Sequence, residues 1–377
     1  MNNYAFISLL YPNKQGQWTY LQGAILTALG LRKQQVTHKI ICMVTPDVTE
    51  EISNLLKIVY DQVIIVDYIS PLANAGIKIN GTIFDPEIYT DDTKYNDLAN
   101  IFTKLHIFDS TKFNYDKIIF VDNDLIPMSN FDNLSKLNTP AGWQEKIMEI
   151  EHNLPIPSYT RIWGIWDNIA PNELIPQFQT EIYTEPGSSI NAGLMVISPN
   201  AEIFNAMITK LQQNKSTWFG PKHKHKGVIG LDRKLSTGYI FPEQDFLTQE
   251  FSGQWHMIDG RYCSWGAQSD EEIYGMHMAG LKYEIQGQWK NYKCWMVQIP
   301  REDGFNTITN QTAIWGIQNY PELKPILMAN LKIYIGERLF DFDKIPFLYF
   351  IQLTESQQEL HNVLYDRYNE NFSISLN

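Results

Sequence analysis

Two aspartates one residue apart, Asp122 and Asp124, follow directly on the apolar run from Ile118 to Val121. An uninterrupted apolar run of this kind reads as a strand buried on both faces, inside a parallel sheet. Carboxylates at its end are costly unless something pairs with them. In an extended chain residues i and i+2 point the same way, so both acids can reach one cation while Asn123 points to the other side. Ligands of open α/β sheets bind in the crevice outside the strands' carboxyl ends. Hard oxygen ligands suit Mg²⁺ or Mn²⁺. The plain alternatives are a helix cap or a simple turn, but the position behind a buried strand favours a ligand pair.

His277, in Tyr274-Gly-Met-His-Met-Ala-Gly280, ends another apolar stretch. A lone histidine there is more often a hydrogen-bonded structural residue. As a third ligand it would tilt the metal from Mg²⁺ towards Mn²⁺, which accepts imidazole more readily. Gly275 and Gly280 beside it would let backbone approach a phosphate. Lys104 interrupts the mostly apolar turn Ile101-Phe-Thr-Lys-Leu105. Asn191, Gly193, Glu243, Gln244 and Asp245 border apolar elements, and each alone is unremarkable. His223 and His225 fit a solvated basic loop better than a metal site.

The elements that must position these residues alternate. Residues 4–10, 39–44 and 62–68 read as strands, and 20–32 carries a helical apolar stripe at Leu21, Ala24, Ile25, Ala28 and Leu29. Asp47 with Glu50 signals a helix start, the helix running to about residue 60. This alternation implies a doubly wound, mostly parallel sheet flanked by helices, with right-handed crossovers. Residues 70–97 are irregular. Ile101, Leu105 and Phe108 mark a helix leading into the aspartate strand. Residues 139–189 lack periodicity and are long for a loop, which points to function or to small elements of their own. A strand over 190–198, a helix over 199–211 and a short helix over 243–251 follow. Beyond residue 300 helical periodicity recurs around 323–339 and 357–368.

The 377 residues allow one large α/β domain with additions, and 44% hydrophobic residues supply a core. The net charge of −12 disfavours nucleic acid, whose backbone is bound by basic surfaces. It leaves a nucleotide open, because a divalent metal supplies positive charge locally. Three scattered cysteines form neither a disulfide framework nor a zinc spacing and favour a reducing compartment. No signal peptide and no bilayer-length apolar run is evident, so a cytoplasmic protein without a transmembrane segment is expected.

Taken in order, these segments resemble family-eight retaining glycosyltransferases, the group containing glycogenin and galactinol synthase. The likeness runs through Ala5-Phe-Ile-Ser-Leu9, Tyr20-Leu-Gln-Gly-Ala24, Val63-Ile-Ile-Val-Asp67, Thr103-Lys-Leu105 and Phe120-Val-Asp-Asn-Asp124. It continues through Asn191-Ala-Gly-Leu194, Glu243-Gln-Asp-Phe-Leu247 and His277-Met-Ala-Gly280. The resemblance implies a GT-A fold over residues 1–299, with insertions at about 139–189 and 213–240, and a helical extension over 300–377. It implies a UDP-sugar donor and Mn²⁺, with Mg²⁺ the alternative, held by Asp122, Asp124 and His277. Leu9 and Tyr20 would line the uridine pocket, with Asn123 and Gly193 also on the donor side. Lys104 would approach the donor, Asn191 and Gln244 would hold the sugar near its reacting carbon, and Gly280 would approach the diphosphate. The family usually has His-x-x-Gly-x-x-Lys, whereas here Tyr283 takes the last position and Lys282 falls one earlier. Glycogenin's self-glucosylated tyrosine segment has no recognisable counterpart.

A metal and a lysine can neutralise a departing nucleotide diphosphate without a proton donor. Retention then needs a carboxylate nucleophile, for which Glu243 and Asp245 are the candidates, or front-side attack with Gln244 placing the sugar. Front-side attack is the expectation. UDP-glucose or UDP-galactose is the favoured donor; the acceptor, a glycan, polyol or protein, stays open, and a homodimer is expected. The rivals are a carbohydrate- or nucleotide-sugar-binding protein without turnover and an Asp-x-Asp phosphatase. In the phosphatases, however, the acid pair normally ends the first strand.

Overall fold

A computed structural model describes residues 3–12, 20–69, 77–79, 82–84, 100–145, 148–149, 159–160, 169–175, 189–213, 242–263, 273–277, 282–284, 293–295, 305–328, 332–335 and 338–341. Strand β1 (Tyr4–Leu10), helix α1 (Leu21–Lys33), strand β2 (Lys39–Val44), helix α2 (Glu50–Val59) and strand β3 (Gln62–Ile65) open the chain. β2 lies parallel between β1 and β3. On its other side β1 pairs in parallel with Lys117–Val121, the aspartate strand. That strand pairs antiparallel with Ser189–Ile197, which pairs antiparallel with Ala141–Glu145, and His256–Met257 closes the edge. The sheet is therefore seven-stranded, mixed and flanked by helices, as expected.

Local chemistry explains several boundaries. α2 is capped by Thr49, whose hydroxyl accepts from Ile52 N at 3.3 Å. Asp47 is not the cap: its carboxylate takes hydroxyls from Thr45 and Tyr68. Glu50 and Glu51 in the first turn and Lys57 in the last suit the helix dipole. Ile52, Leu56 and Val59 form its buried face. α1 is buried almost all round from Leu21 to Leu31, because helix Phe305–Asn319 covers it opposite the sheet. A Cβ on Gly316 would come within 2.4 Å of Leu29 Cδ1, so the two helices touch closely there.

Three segments differ from the sequence expectations. Residues 100–108 form a 3₁₀ helix rather than an α-helix, buried at every position from Phe102 to Phe108. The irregular stretch after 139 contributes a strand to the main sheet, with Trp143 in the core. Beyond the helix Lys324–Met328, where helical periodicity is expected to 339, Lys332–Ile335 and Arg338–Asp341 pair as antiparallel strands. β-branched and aromatic residues in that segment favour extended backbone. The insertion at 213–240 falls almost wholly outside the described residues.

The short strand Gly275–His277 pairs antiparallel with Leu125–Pro127, the strand that leaves the aspartates. A Cβ on Gly275 would stand 2.2 Å from the Tyr262 carbonyl oxygen and 2.7 Å from Phe131 Cζ. Backbone cannot yield as a flexible side chain does, so Gly275→Ala is expected to destabilise the protein by roughly 1–3 kcal/mol. A urea-denaturation midpoint equal to wild type would contradict this packing.

Candidate metal centre

Asp122 and Asp124 meet across a turn rather than along an extended strand. The strand ends at Val121, and Leu125 N donates to Asp122 O at 3.0 Å. Three neighbours clamp the turn. Thr27 of α1 donates its hydroxyl to Leu125 O at 2.9 Å, and Asn123 Nδ2 donates to Leu9 O of β1 at 2.5 Å. Asp122 N donates to Gly193 O at 2.8 Å. Asn123 thus faces away from the acid pair, towards the end of β1. The register Leu125 to His277 brings in the histidine from 153 residues away, its Nε2 lying 3.1 Å from Asp124 Oδ1.

Ligand atoms of Asp122, Asp124 and His277 all lie within 4.8 Å of one another. Two carboxylates and an imidazole form a donor set that suits Mn²⁺ and accepts Mg²⁺ less well. Gly193 makes room for the ring, since a Cβ there would sit 2.7 Å from His277 Cε1. Burial pulls the imidazole pKa down, but Cys263 and Asp124 outweigh it and hold the pKa well above the ordinary histidine value. Burial likewise pushes the Asp122 carboxyl up; Asp124 and Glu243 add to this, and Lys104 and His277 oppose it. The Asp122 side chain remains 32% exposed, so solvent tempers that shift.

Lys104, 2% exposed, is the buried cation beside this cluster. Its Nζ lies 3.4 Å from Asp122 Oδ2, 3.3 Å from Glu243 Oε1 and 3.1 Å from Ala192 O, and 4.9 Å above the Phe120 ring centroid. Burial alone would lower the ammonium pKa, but the two carboxylates more than reverse that and raise it. Glu243 and Gln244 lie in the first turn of helix Pro242–Glu250, opened by a proline pre-set for a first helical position. Thr248 staples this helix to the long strand, donating to Gln244 O and accepting from Ile190 N. Gln244 Oε1 accepts from Ala192 N at 3.2 Å. Glu243 Oε2 is buried with no hydrogen-bond partner among the described residues.

A register break in the long strand between Asn191 and Met195 frees its backbone for these contacts. Asn191 Oδ1 accepts from Gly193 N at 2.8 Å, while Ala192 serves Lys104 and Gln244. Leu9 is buried at the end of β1, and Tyr20 is the residue before α1. Asp245 lies in the short helix and Lys282 in a short strand, but their side chains are outside the described residues, as is the whole of Gly280. The sequence reading missed Thr27 and Cys263. Thr27 was findable as a polar residue inside an apolar helix; nothing marked Cys263.

No family model matches the chain. The uncharacterized protein R707 of Acanthamoeba polyphaga mimivirus is 28% identical over 262 residues, 70% of this chain and 72% of that protein. Galactinol synthase 6 of Arabidopsis thaliana is 23% identical over 68% of this chain and 63% of its own. Human glycogenin-1 is 26% identical over 36% of this chain and 33% of its own. The matches therefore span less than two thirds of these two curated enzymes. A solved active-site mutant of LgtC overlays 83% of this chain and 95% of its own, with 12% identity and a TM-score of 0.44. The chain is thus similar in sequence to these enzymes, and its own architecture is a mixed seven-stranded sheet with an acid pair at a strand end. Galactinol synthase 1 of Ajuga reptans is likewise 25% identical over 54% of this chain and 55% of its own.

Removing the Lys104 charge would strand Glu243 and Asp122 beside each other. Lys104→Met is expected to cost roughly 3–5 kcal/mol in urea denaturation. Adding Glu243→Gln should recover part of that, because the stranded carboxylate goes with it. Additive losses in the double variant would show that the pair is not coupled.

Proposed function

We propose that the chain is a metal-dependent retaining glycosyltransferase that moves a hexose from UDP-glucose or UDP-galactose to a hydroxyl acceptor. The convergence of Asp122, Asp124 and His277 within 4.8 Å carries this reading. These three residues would hold Mn²⁺, which, when bound, neutralises charge on a nucleotide diphosphate leaving group. Lys104 holds Asp122 and Glu243 in place and adds a fixed positive charge beside them. Glu243 Oε2, which lacks a donor, accepts a hexose hydroxyl.

Front-side attack fits these contacts better than a glycosyl–enzyme adduct. Glu243 Oε1 is engaged by a buried ammonium, which weakens that carboxylate as a nucleophile, and Gln244 Oε1 is engaged by Ala192 N–H. The acceptor oxygen then bonds to the anomeric carbon on the face from which UDP departs, and its proton passes to a phosphate oxygen of UDP. Lys282 and Gly280 are assigned to the diphosphate by resemblance alone. No helix among the described residues is long and apolar enough to cross a membrane.

UDP release from UDP-glucose and UDP-galactose with Mn²⁺ tests the proposal. Chelation is expected to abolish release, and Asp124→Ala to lower kcat/KM by about a hundredfold, or ~2.7 kcal/mol. Release that survives both treatments would falsify the assignment, and donor binding without release would identify a binding protein. A trapped, kinetically competent adduct at Glu243 or Asp245 would replace front-side attack with double displacement.

A further inference from the structure

The His277 imidazole is engaged at both nitrogens. Nε2 faces Asp124 Oδ1 at 3.1 Å, and Nδ1 lies 3.4 Å from the Cys263 sulfur. Cys263 ends the 3₁₀ turn Gly260–Cys263, is 0% exposed and forms no disulfide. Its sulfur also lies 4.0 Å from Asn191 Oδ1. It stands outside the three-ligand cluster, behind the ring rather than beside the cation. The Gly193 backbone packs near the ring as well, so the imidazole has little room to turn.

A histidine that gives its Nε2 lone pair to a metal carries its proton on Nδ1, and that N–H needs an acceptor. Solvent is a poor candidate here, since the His277 side chain is 5% exposed. A thiol is both a weak donor and a weak acceptor. It can therefore accept from Nδ1–H, both when Nε2 is a ligand and when Nε2–H turns to Asp124. An aliphatic side chain could not.

We propose that Cys263 is the positioning residue of the metal centre: its sulfur receives the Nδ1–H of His277 and so turns the Nε2 lone pair towards Asp122 and Asp124. This rests on the metal reading above, and its test separates the two. Mn²⁺ alone is titrated into the full chain, without nucleotide sugar, and free Mn²⁺ is followed by electron paramagnetic resonance. Wild type is compared with C263S, C263A and C263V, with D124A as the reference. C263A and C263V are expected to lose about tenfold to a hundredfold in Mn²⁺ affinity, the usual range for a lost outer-sphere partner. C263S, which restores a donor and acceptor, should stay close to wild type. C263V refills the space, so its loss at an unchanged urea midpoint would separate the hydrogen bond from packing.

Wild-type affinity in C263V overturns the inference, and so does a loss in C263S as large as that in C263V. Where the apolar variants do not fold, ¹⁵N-histidine spectra of wild type with diamagnetic Mg²⁺ decide. A protonated His277 Nδ1 supports the assignment and a bare one overturns it. If wild type binds Mn²⁺ no better than D124A, the metal reading fails along with this inference.

Discussion

The Lys104 ammonium lies between Asp122 and Glu243, capped by the Ala192 carbonyl and the face of Phe120. Taking such an ion out of water costs several kcal/mol, recovered only when partners surround it closely. Each partner here comes from a different element: the aspartate turn, the short helix after 241, the long antiparallel strand and the aspartate strand itself. The charge therefore fixes the relative placement of four elements. Three carboxylates, Asp122, Asp124 and Glu243, gather around this one ammonium and the His277 imidazole, so acids outnumber bases in the cluster.

Backbone irregularity supplies what regular strands could not. In an unbroken ladder the Ala192 groups would be spent on the neighbouring strand. The break between Asn191 and Met195, on the side of Ala141–Glu145, instead leaves Ala192 O to Lys104 and Ala192 N to Gln244, while on the other side Gly193 O carries the pairing with the aspartate strand one step further, to Asp122 N. Asn191 turns its own amide oxygen onto Gly193 N and so stabilises the departure from the ladder. Gly193 serves twice, because the missing side chain is also where the His277 ring sits.

Much of this was legible in residue order, for reasons that differ element by element. The parallel strands announced themselves because burial on both faces makes them continuously apolar. The acid pair stood out because two charges after such a run need a partner. The route by which the acids converge was not legible. An extended i, i+2 geometry and a turn closed by Leu125 N both bring the pair together, and only backbone hydrogen bonding distinguishes them. Thr27 meets a residue 98 positions away and Cys263 one 14 positions away, and neither contact leaves a spacing pattern. The strand pair at 332–341 occupies a segment whose apolar spacing also fits a helix, so periodicity alone could not decide it.

Among the described residues, the buried side-chain atoms without a hydrogen-bond partner are Asn100 Oδ1, His106 Nδ1, Trp143 Nε1, Asn123 Oδ1 and Glu243 Oε2; the last two belong to residues of this cluster. Leaving such an atom unpaired costs roughly 1–3 kcal/mol, so native structures keep few of them. Asn123 reaches Leu9 with its amide nitrogen and Glu243 reaches Lys104 with its other oxygen, so in each residue one polar atom is engaged and one is not. A ligand that reached either oxygen would need a hydrogen-bond donor there. On the proposed function, the hexose hydroxyls and the N–H and O–H groups of a base and ribose are donors of the kind these oxygens lack.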